Sequence, residues 1–299
     1  MPTAAPPARR RSRAPWRDRR GAFSWLKALA LAGCIAPGAT VAVRLAANDL
    51  GGRPVKAALL WMGLWTVRFV LIALAISPAA QGLRWPNLTA IRRMVGVTAC
   101  VYALGHLALY ATDENWRLGL IGSEILRRFY LTIGFVALLG LAALAATSFD
   151  AAVRRMGRGW KRLHRLAYPI AALALLHYFI QSKANVGEPT VMAGLFAWAM
   201  LWRVLPSGWR GHWAAVLPLA AAAGLAAAGI EFAWYGLATG IDPWRVLGAN
   251  LIWRFAPRPA HWAALASLGL GLLLLAGRGM RARRGQGGRV VLVSRPAAE

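Results

Sequence analysis

The sequence predicts an all-α integral membrane protein, a polytopic bundle of helices. Three observations carry that expectation. Of the 299 residues, 58% are hydrophobic and only 15% charged; the mean hydropathy is +0.47; and the apolar residues gather into eight runs separated by short polar connectors. A soluble core needs far less apolar sequence. Each run is close to the ~20 residues that cross the hydrocarbon of a bilayer as a helix.

The first run, 25–46, follows the stretch ARRRSRAPWRDRR within residues 1–24. That stretch resembles the positive region of a signal peptide, but several more spans follow and no clear small-x-small cleavage site stands out, so the run is read as a retained span behind a cytoplasmic tail. Runs 58–77 and 94–111 flank QGLRWPNLTAIRR, runs 129–147 and 163–181 flank SFDAAVRRMGRGWKR, and runs 190–205 and 213–236 flank PSGWRGH. The last run, 261–277, leads into the basic tail 281–299. These connectors are all basic. On the alternate side, NDLGGRPVK, TDENWRLGLIGSEILRR, SKANVGEP and TGIDPWRVLGANLIWRFAPRP hold six of the ten acids. Lys and Arg are retained on the cytoplasmic side, so eight spans with both termini cytoplasmic are expected. The same placement argues against nucleic acid as the partner of the +26 net charge, because the arginines form short runs between spans rather than one basic face. Cys34 and Cys100 fall in apolar runs without metal-ligand spacing, so neither a structural disulfide nor a zinc site is expected.

Three of the five histidines, His106, His164 and His177, lie inside apolar runs, and His261 stands at the first residue of another. Imidazole is costly in hydrocarbon, which makes such residues functional candidates. At 1.5 Å per residue, His106 lies about 20 Å outward from Arg92 and Arg93, and His177 about 20 Å outward from His164 at the cytoplasmic mouth. His106 and His177 therefore share a depth. Two neutral imidazoles facing each other from neighbouring helices can supply both axial positions of a heme iron; a bond to a backbone carbonyl or a place on a proton path are the alternatives. On an ideal helix His164 and His177 stand about 140° apart, so they need not share a cofactor.

The other polar residues have blander readings. His212 and His261 fall at interfaces and are read as structural, and Trp61, Trp85, Trp116, Trp160, Trp209, Trp213, Trp244, Trp253 and Trp262 as an aromatic belt. Glu231 is the one acid placed inside a span, as a proton carrier or a snorkelling side chain. Arg68, near mid-membrane, needs an anionic partner or a water cavity: a heme propionate or a flavin phosphate would satisfy it, and so would a backbone carbonyl or a modest shift of the helix.

The stretches RRMVGVTACVYALGHLALY, RRFYLTIGFVALLGLAALAATS and VRRMGRGWKRLHRLAYPIAALALLHYFIQSK resemble the MsrQ (YedZ) family. These are heme-binding membrane subunits of a bacterial methionine sulfoxide reductase system, within the ferric reductase-like transmembrane superfamily. The strongest part is Trp160, Arg162, Leu163, His164, Arg165, Leu166 and Tyr168 followed by His177. GLWTVRFVLIALAISPAAQGLR looks like the family's second span with its closing Ser/Thr-Pro turn. The resemblance covers about residues 25–205 and implies a six-span ferric reductase-like core over 25–210, with two further spans over 211–280 that it does not explain. It implies heme b, one or two, ligated by His106, His177 and His164, and FMN is also ascribed to the family. In the wider superfamily two histidines on each of two spans hold two hemes; Arg92 stands where one of them would be, leaving His164 without an obvious partner.

The resemblance further implies an electron-transfer subunit of the bacterial inner membrane rather than a complete enzyme. Electrons would pass from a quinol or a flavin reductase to a periplasmic molybdopterin-containing methionine sulfoxide reductase. No Gly-rich loop between a strand and a helix signals a dinucleotide module of the chain's own. Arg92, Arg93, Arg154, Arg155, Lys161, Arg162 and Arg165 place positive charge at the cytoplasmic entry, where topology explains them equally well. Two alternatives stand beside this expectation: a ferric or metal-chelate reductase-like protein, and a non-redox transporter or assembly protein.

Overall fold

A computed structural model describes residues 14–287 apart from 19, 184, 254 and 255, with side chains to 281. Among these residues the chain forms twelve α-helices and no strand beyond an isolated bridge between Arg17 and Phe23. In order they are α1 (Trp25–Ala46), α2 (Pro54–Gly82), α3 (Arg92–Asp113), α4 (Leu118–Arg127), α5 (Phe129–Ala146), α6 (Asp150–Met156), α7 (Arg158–His164), α8 (Ala167–Ser182), α9 (Gly187–Val204), α10 (Trp213–Ala238), α11 (Pro243–Leu251) and α12 (Pro259–Gly287). The basic tails expected at 1–24 and 281–299 lie outside the described residues except at 14–18, 20–24 and 281–287.

Seven segments are long and apolar enough to cross a membrane: α1, α2, the 3-10 turn with α3, α5, α7 with α8, α10 and α12. Eight were expected. The missing one is α9, whose 18 residues include Glu188 and Arg203 near their ends. It packs against α2, α8, α10 and α12. Large apolar side chains such as Leu29, Leu60, Val101, Leu139, Leu217 and Leu273 are exposed around the bundle, the surface that lipid covers. Only 17% of the apolar window of α1 is buried against 44% for α10, so α1 sits at the rim.

Prolines and a glycine explain where the helices depart from the expected runs. Pro78 does not close the second span in a turn: it lies buried inside α2, which continues to Gly82. Membrane helices tolerate such a proline because neighbouring groups satisfy the freed carbonyl. The fifth run is broken at Arg165 and Leu166. Pro169 has no N–H to give the Arg165 carbonyl, which instead accepts from the Tyr168 N–H at 3.1 Å. Gly157 turns α6 into α7 at φ +51°, ψ −118°, a conformation glycine reaches without strain.

The pairs α2–α3 and α5–α8 pack through a core that includes Phe69, Ala99, Leu141 and Ala171. Helices α10 and α12 cover α9 through small residues. A Cβ on Gly194 would lie 2.5 Å from that of Ala263 and 3.1 Å from that of Ala227, the close approach by which helices associate in lipid. Gly194→Leu is therefore expected to wedge α9 from its neighbours at a cost of about 1–3 kcal/mol, read as a lower thermal midpoint in detergent; an unchanged midpoint overturns that contact.

Glu231 does not snorkel. It is 2% exposed, and its carboxylate accepts from Asn250 Nδ2 at 2.6 Å and from Arg258 Nη2 at 3.3 Å. Asn250 Oδ1 accepts from the Ala260 N–H at 3.3 Å, so one polar knot ties α10, α11 and the start of α12. His261 accepts from the Arg258 N–H at 2.9 Å, and His212 accepts from the Ala214 N–H to cap α10, both structural roles as expected.

Candidate functional site

His106 on α3 and His177 on α8 face each other with ring centres 6.4 Å apart and planes crossed at 85°. Each ring is held by the helix paired with its own. His106 Nδ1 donates to the Leu59 carbonyl of α2 at 2.9 Å, and His177 Nδ1 donates to the Tyr130 carbonyl of α5 at 2.8 Å. A carbonyl only accepts, so Nδ1 carries the proton in both rings and Nε2 keeps its lone pair. A metal–imidazole bond of about 2.0 Å on each side, with the nitrogen roughly 1.2 Å from its ring centre, puts two opposed ring centres about 6.4 Å apart. The spacing fits one metal ion shared by the pair. Among the described residues no three His, Cys, Asp or Glu side chains gather as a metal site, and an opposed pair of neutral imidazoles is a ligand set that suits a heme iron.

The two clamps have the same construction, with the histidine 47 positions after the carbonyl in each. One helical turn after each carbonyl comes a glycine, Gly63 and Gly134, against which the imidazole lies. The histidines stand out in the sequence; the glycines do not, and the signal that reveals them is this repeated interval.

His164 is apart from the pair, at the end of α7. Trp160 stacks on its ring at 3.9 Å and 26°, and a 3.2 Å hydrogen bond links Nε2 to the Thr147 hydroxyl. Trp160, expected in the aromatic belt, also donates from Nε1 to the Thr147 carbonyl at 2.9 Å. Both rings line a cavity of about 470 Å³ together with Arg92, Arg93, Arg203 and Arg210. Arg93 pairs with Asp150 at 2.7 Å. Arg92 donates to Ser77 Oγ, Arg203 to the carbonyls of Ala199 and Leu74, and Arg210 to those of Leu205 and Arg203. Three guanidiniums thus face one cavity while bonded to neutral groups, a setting that favours an anion. Arg203 and Arg210 escape sequence reasoning because they come from the end of α9 and the loop after it, far along the chain from Arg92.

Arg68 has the anionic partner it was expected to need, in a protein carboxylate rather than a propionate or a phosphate. Its Nη2 lies 2.7 Å from Glu188 Oε1, and its guanidinium stands 4.9 Å over the Trp65 ring. Glu188 also accepts from the hydroxyl of Tyr178, the residue after His177, at 2.9 Å. The three side chains link α2, α8 and α9.

Residues 59–175 match the family of the ferric reductase like transmembrane component. The chain is similar to the protein-methionine-sulfoxide reductase heme-binding subunit MsrQ of Caulobacter vibrioides, with 39% identity over 60% of this chain and 84% of that protein. It is 38% identical to the subunit of the same name from Rhodospirillum rubrum over 58% of this chain and 85% of the relative. For the Xanthomonas euvesicatoria subunit the figures are 44%, 52% and 72%. No solved structure matches.

Proposed function

Because the chain belongs to the MsrQ family of heme-binding subunits, we propose that it is a b-type heme electron-transfer subunit of the bacterial inner membrane, in which α9, enclosed by α2, α8, α10 and α12, completes an eighth crossing and both termini lie in the cytoplasm. It passes electrons from a cytoplasmic flavin reductase or the quinone pool to a periplasmic molybdopterin-containing methionine sulfoxide reductase. The observation that carries this reading is the pair His106 and His177, at a spacing that fits one iron and with both Nε2 atoms free to ligate. Heme b supplies a one-electron couple when bound there. The chain's part is to fix both imidazoles as neutral ligands, to surround them with apolar helix, and to place Arg68, neutralised by Glu188, in the turn following Gly63.

The arginine-lined cavity supports a second site at the opposite end, for FMN or a second heme. Arg92, Arg203 and Arg210 would meet a phosphate or propionate, and Trp160 and His164 would flank the ring system. The cluster of basic residues at this end supports its assignment to the cytoplasmic side. Residues 25–210 would then form the redox unit and 211–280 an extension around α9.

A reduced-minus-oxidised absorption spectrum of the purified protein, with heme quantified, tests the reading. A Soret band and a dithionite-reduced α-band with at least one heme per chain are expected. Their absence overturns it.

A further inference from the structure

A helical side chain tilts toward the helix N-terminus, so the Cβ of one residue overhangs the carbonyl of the residue a turn earlier. Gly63 and Gly134 stand in that position over the carbonyls of Leu59 and Tyr130, the two acceptors of the imidazole Nδ1–H groups. A Cβ on Gly63 would lie 2.8 Å from His106 Nδ1 and 3.0 Å from Cε1; one on Gly134 would lie 2.7 Å from both atoms of His177. Neither ring can stay where it is beside even a methyl group. Each carbonyl already accepts its own helical N–H and uses its second lone pair for the imidazole, and the glycine is what leaves that lone pair accessible.

We infer that Gly63 and Gly134 are positioning residues: by uncovering the Leu59 and Tyr130 carbonyls they hold the His106 and His177 planes nearly perpendicular, and this crossing sets the electronic character of the iron the pair holds. The inference rests on the heme reading above. Parallel axial imidazoles split the iron orbitals of π symmetry and give ferric low-spin heme a three-line rhombic resonance. Crossed imidazoles leave those orbitals close in energy and give one isolated low-field resonance. The 85° angle belongs to the second case. A ring pushed by a new methyl must turn about its side-chain torsions, losing its carbonyl and the crossing together.

The test is electron paramagnetic resonance of the oxidised full-length protein, with heme per chain measured on the same samples. Wild type is expected to show the isolated low-field signal. Gly63→Ala and Gly134→Ala are each expected to replace it with a rhombic or high-spin signal and to lower heme content at least about twofold. Gly229→Ala, a helical glycine of α10 with open space around it, is expected to match wild type. Monodisperse Gly63→Ala and Gly134→Ala proteins that keep the wild-type signal overturn the inference. Where neither variant folds, the wild-type spectrum decides alone: heme-loaded protein without an isolated low-field low-spin signal overturns the inference and leaves the heme reading intact, whereas protein without heme overturns both.

Discussion

His106→Ala and His177→Ala each remove the same heme signal, and His164→Ala leaves at least part of the heme in place. The expectation follows from how the three rings are held. His106 and His177 are anchored at Nδ1 by separate helices and meet with ring centres 6.4 Å apart. On the proposed ligation, removing either would leave the iron with one protein ligand, and among the described residues no group of three or more His, Cys, Asp or Glu offers it another site. His164 is stacked on Trp160 and tied to Thr147 at the arginine-lined cavity, so its loss touches only what binds there. Heme per chain and the reduced α-band, measured on all three variants, check this. Loss of all heme in His164→Ala, with retention in the other two, would overturn the pairing.

The second large effect lies far from the histidines. Arg258→Ala strands Glu231, whose side chain is 3% exposed, with Asn250 as its remaining partner among the described residues. Breaking a buried pair by removing one member costs about 3–5 kcal/mol, because the other charge stays in a low dielectric. The Arg258 side chain is 39% exposed, which screens the pair and places the expected loss near the lower end of that range. Glu231→Gln keeps the bond to Asn250 and removes the charge, so its loss should be smaller, about 1 kcal/mol. Thermal unfolding in detergent reads both. Equal stability of Arg258→Ala and wild type would overturn the argument, and retained heme absorption in the folded variant would place the effect in the extension.

Much of this was legible in the sequence because the bilayer enforces simple rules. Apolar length gave the helices, and 1.5 Å per residue gave His106 and His177 their common depth. What escaped depends on contacts between distant segments. Arg68 meets Glu188 across a separation of 120 residues, and hydropathy says nothing of which helix lies beside which. The cavity draws on α2, α3, α5, α7, α8, α9 and the loop after α9, so no local motif marks it. Pro78 and Pro169 show the limit of local rules in another way: the same residue type sits inside one helix and accompanies a break before another, according to how the freed carbonyl is satisfied.

The matching clamps have a consequence for assembly. Helices α2 and α3 present one ligand and helices α5 and α8 the other, each completed by its own carbonyl and glycine. On the heme reading, neither half can retain an iron alone. Cofactor uptake then acts as a checkpoint: it rewards only chains whose two halves have met in register, and by binding the folded state alone it stabilises that meeting in proportion to its affinity.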